Sequence, residues 1–293
     1  MAVLGALVIA WSAILVRLAD VAPSTAAVFR CAYALPLLGA LAWREDRRLG
    51  PRPPRGRLLA AGAGVFFAAD LICWHHAIAD VGAGLATVLG NLQVAFVPLV
   101  AWAVLSERPG GRVLATLPLV LGGVVLISGA LEQGAYGDNP TQGVVFGAAT
   151  GLTYAGFILL LRAGGNDLRR PAGPLLDATA VATVVCVIAG LIIGDADLVP
   201  SWPAHAWLVT LAVTSQVIGW LLISSSLPRL PAALTSLLLT IQPIGSVLLG
   251  ALIFAETPSA LQFAGVGAIL AGLVLVSRVR PAAPEPAAVA AAP

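Results

Sequence analysis

Cut at its prolines, glycines and charges, this chain falls into apolar runs about as long as a bilayer is thick. Ten can be drawn, at 2–18, 23–43, 57–78, 82–105, 111–130, 143–162, 174–194, 203–224, 231–254 and 259–277. About 20 apolar residues wound as an α-helix cross the hydrocarbon core. Lipid offers no partner to a backbone N–H or C=O, so runs this long and this uniformly apolar predict helices and not barrel strands. Composition points the same way. Apolar residues make up 59% of the chain and charged residues 10%, against about 25% charged in a soluble domain. The expected fold is an all-α integral membrane protein with ten transmembrane helices, its first run retained as a helix because no basic stretch or cleavage site accompanies it.

One of these runs is written twice. AGLATVLGNLQVAFVPLVAWAVLSERP at 83–109 returns as AALTSLLLTIQPIGSVLLGALIFAETP at 232–258. A slide of 149 positions pairs Gln93 with Gln242, Glu107 with Glu256 and Pro109 with Pro258. The chain therefore divides into a first five-helix repeat at 1–130, a linker at 131–142, a second five-helix repeat at 143–278, and a low-complexity Ala/Pro tail at 279–293 read as disordered. Five is odd, so the two copies enter the membrane from opposite sides. Inverted repeats of this kind place a binding site near the midplane, where two halves can rock about it.

Charge sets the orientation. Lysine is absent, and fourteen of the sixteen arginines fall on alternate loops: Arg44 to Arg57, Arg108 and Arg112, Arg162 to Arg170, Arg229, and Arg278 with Arg280. The other loops carry Asp20, Asp80, Glu132, Asp138, Asp195, Asp197 and Glu256. Arginine-rich loops stay cytoplasmic, which predicts an inner-membrane protein with both termini inside. Trp43 and Trp102 then anchor the inner boundary, and Trp202 and Trp207 the outer one. Cys31, Cys73 and Cys186 lie apart inside apolar runs and read as small packing residues. Adjacent His75 and His76 splay about 100° apart, cannot chelate one ion together, and read as interfacial near the outer end of the third helix. No metal, cofactor or nucleic-acid partner is expected. The bilayer and a small-molecule substrate are, and a homodimer is permitted but not required. Without lysine there is no phosphate-binding GxxxxGK[ST] loop to hydrolyse ATP.

Polar residues inside the runs are the candidate site. Asp70 sits mid-helix, where a carboxylate costs about 2.5–3.5 kcal/mol unless paired, protonated or hydrated. Trp74 follows at i+4 on the same face, and Gln216 with Trp220 repeats that spacing in the second half. A carboxylate beside an indole can bind an amine or take a proton; the bland alternative is a structural ion pair between Asp70 and Arg30. On the duplicated helices, Asn91 and Gln93 match Thr240 and Gln242. Residues two apart point in nearly opposite directions, so only one row can line a cavity while the other bonds to a neighbouring helix. Pro98 and Pro243 interrupt these helices. Trp11 and Ser12 on the first helix and Tyr154 on the sixth lie at comparable depth. Glu107 and Glu256 read as structural, capping or bonding loops of the neighbouring half. Asp177, near the inner end of the seventh helix, reads as interfacial.

Two five-helix halves, Arg30 early in the second helix (AAVFRCAYALPLL), and the LSERP and FAETP endings together resemble the EamA-like transporters of the drug/metabolite transporter superfamily. The resemblance covers about residues 2 to 278. It implies a ten-helix inner-membrane carrier, often an exporter of amino acids or related metabolites, with a cavity formed by helices 1, 3, 4, 6, 8 and 9. One departure stands out: the position matching Arg30 in the second half is Thr179. The expected function is secondary transport by alternating access, outward and proton-coupled, without an enzymatic step. The rivals are a membrane enzyme using Asp70 as acid and base, and a passive channel or scramblase. Polar groups mirrored between halves suit alternating access and give an enzyme nothing.

Overall fold

In a computed structural model the chain is a bundle of helices. Residues 2–105, 111–128, 131–165, 167, 169–226 and 241–277 are described; Glu107, Thr240, the whole 227–240 stretch expected to open the ninth helix, and 278–293 lie outside them. The first half holds α1 (Ala2–Ala10), α2 (Ser12–Ala19), α3 (Pro23–Leu49), α4 (Pro54–Gly90), α5 (Gln93–Leu105) and α6 (Gly111–Ile127). The second holds α7 (Pro140–Gly164), α8 (Ala172–Ile193), α9 (Ala204–Leu211), a wider π-wound turn at Ala212–Gly219, α10 (Trp220–Ser226), α11 (Ile241–Phe254) and α12 (Ala260–Ser277). Among the described residues, five helical stretches are long and apolar enough to cross a membrane, and four more are apolar but shorter.

The helix bounds repeat at the 149-residue slide: α5 at 93–105 becomes 242–254, which is α11, and α6 at 111–127 becomes 260–276, which is α12. Packing follows the same exchange. Helix α3 lies against α8, and α6 against α12, each beside its own counterpart. Helix α7 packs on α4 as α1 and α2 pack on the α9–α10 stretch and α11.

Two expected helices are interrupted where the sequence showed no break, and two that it separated are continuous. The first run is broken at Trp11. The expected helices at 57–78 and 82–105 meet at Gly82, whose φ of 81° and ψ of 170° turn the chain without an intervening loop. Glycine alone adopts such a backbone cheaply. The second of them breaks again at Asn91–Leu92, several residues before Pro98. Here the Asn91 amide donates to the Thr87 carbonyl at 2.8 Å and Leu92 N bonds Leu89 O at 3.0 Å, tightening the turn and ending α4. Pro243 lies in the first turn of α11, where a missing N–H costs nothing.

The loops sort to two ends as their charge predicts. At one end the α3–α4 turn meets the start of α8: Arg52 clamps Asp177 at 2.7 and 3.1 Å, and Glu45 accepts from the N–H groups of Ala172 and Gly173, both at 2.9 Å. At the other end Asn139 N donates to Asp80 O, Tyr136 N to Gln262 Oε1, and Ser24 N to Asp195 Oδ2. Trp43, Trp102 and Trp202 expose 55%, 47% and 81% of their surface.

Candidate functional site

Between the halves lies a cavity of about 70 Å³, room for about two waters. Helix α3 contributes Arg30. The first arm of α4 contributes Phe67, Asp70, Leu71 and Trp74, which recur every three or four residues and so share one face. Thr87, Gly90 and Asn91 come from the second arm of α4, Thr150 and Tyr154 from α7, Trp220 from α10, Gln242 from α11, and Ile9 and Ser12 from either side of the Trp11 break. Both halves thus build one wall. An aromatic cluster closes one side: Phe67 stacks on Phe157 at 4.4 Å, and Trp220 meets Phe157 and Tyr154 edge-on at 5.1 and 5.9 Å.

Its charges are unusual in their freedom. Arg30 is 4% exposed; its Nε donates to Gln216 Oε1 at 3.1 Å, and its guanidinium carbon lies 5.5 Å from the Trp74 ring centroid. Gln216 in turn donates to Thr179 Oγ1 at 3.2 Å. Thr179 is the position matching Arg30 under the repeat, so one hydrogen-bond chain joins the equivalent sites of the two halves. Asp70 is 6% exposed, and among the described residues no arginine reaches ion-pairing distance of it. Arg30 and Asp70 thus line the same cavity without the close ion pair of the bland alternative, and the Arg30 Nε is given to Gln216. Arg30 Nη1, Gln242 Nε2, Ser12 Oγ and Thr150 Oγ1 are buried with no hydrogen-bond partner among the described residues. An unsatisfied buried group costs about 1–3 kcal/mol, so this wall is set to receive a polar guest.

At the end away from the arginine-rich loops, Glu256 closes over the bundle. Its carboxylate accepts from Ala83 N at 2.7 Å, Gly84 N at 3.0 Å and Arg17 Nη1 at 2.6 Å. Ala255 takes a left-handed φ of 51° to turn Glu256 inward, and a Cβ on Gly82 would stand 2.7 Å from Glu256 Oε1. The start of the first duplicated stretch therefore meets the end of the second.

The sequence profile of the EamA-like transporter family matches residues 1–129 and again residues 141–278. The chain belongs to the EamA-like transporter family. An uncharacterized protein of Pseudomonas aeruginosa is 29% identical over 230 residues, covering 78% of this chain and 76% of that one. A solved crystal structure aligns with a TM-score of 0.58 at 17% identity over 94% of both chains, a likeness of fold. EamA-like transporters are membrane proteins that move small molecules, and the family's members are transporters rather than enzymes.

In this EamA-like transporter the cavity gathers Asp70, Trp74, Asn91, Tyr154, Trp220, Gln242 and Arg30. Gln93 is buried outside the wall, against Gly151. Gln216, fully buried, stands behind it as the support for Arg30, since the π winding of its segment departs from the α-helical spacing that set it beside Trp220. Trp11 is 45% exposed on the outside of the bundle, because the break in the first helix turns Ser12 and Ile9 inward instead. His75 is not interfacial: it is 1% exposed, because α4 continues beyond it to Gly82. His76 reaches Asp195 at 3.5 Å. Asp177 is held by Arg52, with its side chain 14% exposed. Phe67, Thr87 and Thr150 were missed, although each stands three or four residues from a named candidate on the same helix.

Proposed function

We propose that this EamA-like transporter carries small amphiphilic, amino-acid-like compounds outward across the cytoplasmic membrane by alternating access. Two inverted five-helix halves, with ten membrane-spanning helices and both termini cytoplasmic, rock about the cavity between them. The observation that carries the reading is a pair of opposite charges in one small chamber, neither with an ion-pair partner among the described residues: free donors on Arg30 and Gln242 suit a carboxylate, and Asp70 suits an ammonium. A zwitterion satisfies both and leaves the aromatic cluster for its side chain. Asp70 then exchanges a proton for the substrate's ammonium, which couples export to the proton gradient. At about 70 Å³ the chamber is smaller than such a guest needs, so binding requires it to widen.

Counterflow of labelled neutral amino acids in proteoliposomes tests the proposal. Saturable exchange is expected, lost in Asp70→Asn and weakened in Arg30→Gln. Full activity with unchanged pH dependence in Asp70→Asn would remove Asp70 from the mechanism, and non-saturable flux would favour a pore. Impermeant labelling of cysteines placed at Arg108 and Ser259 should mark opposite faces; labelling from one face would end the inverted arrangement.

A further inference from the structure

We infer that the arginine-rich end binds the phosphate headgroup of an anionic phospholipid, between the α3–α4 turn and the α7–α8 loop. A pocket of about 710 Å³ opens there, an order of magnitude larger than the central cavity. Arg52, Arg55 and Arg170 line it. Helices α4 and α7 touch at its floor, where a Cβ on Gly56 would stand 3.0 Å from the Gly164 carbonyl oxygen.

The three guanidinium groups differ in what already holds them. Arg52 is clamped by Asp177. Arg170 donates to the Gly50 carbonyl and lies 3.8 Å from Asp46. Both side chains are only 9% exposed, and each has an Nε–H with no hydrogen-bond partner among the described residues, although Asp46 Oδ1 lies 4.0 Å from Arg52 Nε. Arg55 is exposed, with no acidic partner among the described residues. Asp167, also in the wall, is occupied by Arg169 at 2.9 Å through two bonds. Across residues 44–57 and 167–177, eight arginines face four acids, so the pocket keeps a positive balance that an anion would relieve.

Its other wall is apolar. Pro53, Leu59 and Pro174 share the pocket with the arginines, and Leu58, next to Leu59, is 74% exposed. Trp43, with Arg47 stacked 4.1 Å over its ring, marks the interface at the same end. A free phosphate has no use for the apolar side; a headgroup with its glycerol and first methylenes uses both. Basic pockets between membrane helices take anionic headgroups on this chemistry. The walls come from both halves of the chain, so a bound lipid bridges them.

Native mass spectrometry and thermal unfolding of the full chain in neutral detergent test this, with phosphatidylglycerol, phosphatidylcholine and inorganic phosphate added separately. Phosphatidylglycerol should be retained and raise the unfolding temperature, and phosphatidylcholine should do neither. Arg55→Gln should weaken phosphatidylglycerol binding about five-fold, with Arg55→Lys restoring most of it. Arg55 is exposed and unpartnered, so its variants keep the fold even where Arg170→Gln does not. Equal retention of the two lipids, or unchanged affinity in Arg55→Gln, overturns the site. The same Arg55-dependent shift from inorganic phosphate alone overturns the lipid as occupant.

Discussion

Replacing Glu256 by alanine removes an acceptor that serves three donors at once. The carboxylate is 2% exposed and holds Arg17 Nη1 at 2.6 Å, Ala83 N at 2.7 Å and Gly84 N at 3.0 Å. Hydrogen bonds to a charged group contribute about 1.5–3 kcal/mol each, and breaking a buried pair costs about 3–5 kcal/mol because the partners stay behind unsatisfied. We take about 3 kcal/mol, since Arg17 is 31% exposed and water recovers part of its share. In a chain of this size that lowers the unfolding temperature by about 6–10 °C. Glu256→Gln keeps the shape and one acceptor, and should lose about half as much. The same 3 kcal/mol acts on conformational balance. Any form of the protein that lacks this contact gains about a hundred-fold in relative population. A cysteine at Ser12, in the cavity wall beneath, should then react faster with an impermeant reagent in Glu256→Ala, judged against the same variant without it. An unfolding temperature within 1 °C of wild type, with unchanged labelling, would refute the reasoning.

Gly64→Ala should lower the unfolding temperature, because its Cβ would run into the Ala178 carbonyl oxygen and stand 2.8 Å from Val181 Cβ where α4 crosses α8; overpacking of this kind costs about 1–3 kcal/mol. Gly62→Ala, whose Cβ would meet only Leu160 Cδ1 at 3.8 Å, is the control and should be neutral. In the α7–α8 loop, hydrogen bonds from Arg169 hold the Asp167 carboxyl down at about 2. Its folded value lies below the ordinary carboxylate range, so its contribution is complete above about pH 4 and lost only as pH falls toward 2. An NMR titration of that carboxyl with a midpoint near 4 would contradict the pairing. Trp11→Phe should leave counterflow unchanged while Trp220→Phe raises the half-saturating concentration, since only the second ring lines the cavity.

Much of this fold is legible in the chain because lipid leaves few choices. Run length fixes the helices, and the 149-residue slide finds counterparts whose bounds agree in the structure. Loop charge sorts the turns to two ends, and Arg52 meeting Asp177 shows two of the arginine-bearing segments at one of them. Phase was harder. A helix apolar on every side gives no sign of which face looks inward, so Trp11 and Ser12 could not be told apart. Local backbone competition was also hidden: Asn91 ends α4 through its own amide, while Pro98 is the residue that looks like a breaker. Gln216 read as a ligand because its support of Arg30 depends on a contact 186 residues away in the chain.

Glu45 and Glu256 each rest a carboxylate on two backbone N–H groups at a helix start belonging to the opposite half, one at either end of the bundle. Here both clasps are fastened. Under the alternating access proposed above, either clasp would open while the other keeps the halves in register, and the difference in grip would decide which door is left ajar. Resting orientation would then be set far from the chamber, by two acidic residues that evolution can retune without disturbing what the chamber holds.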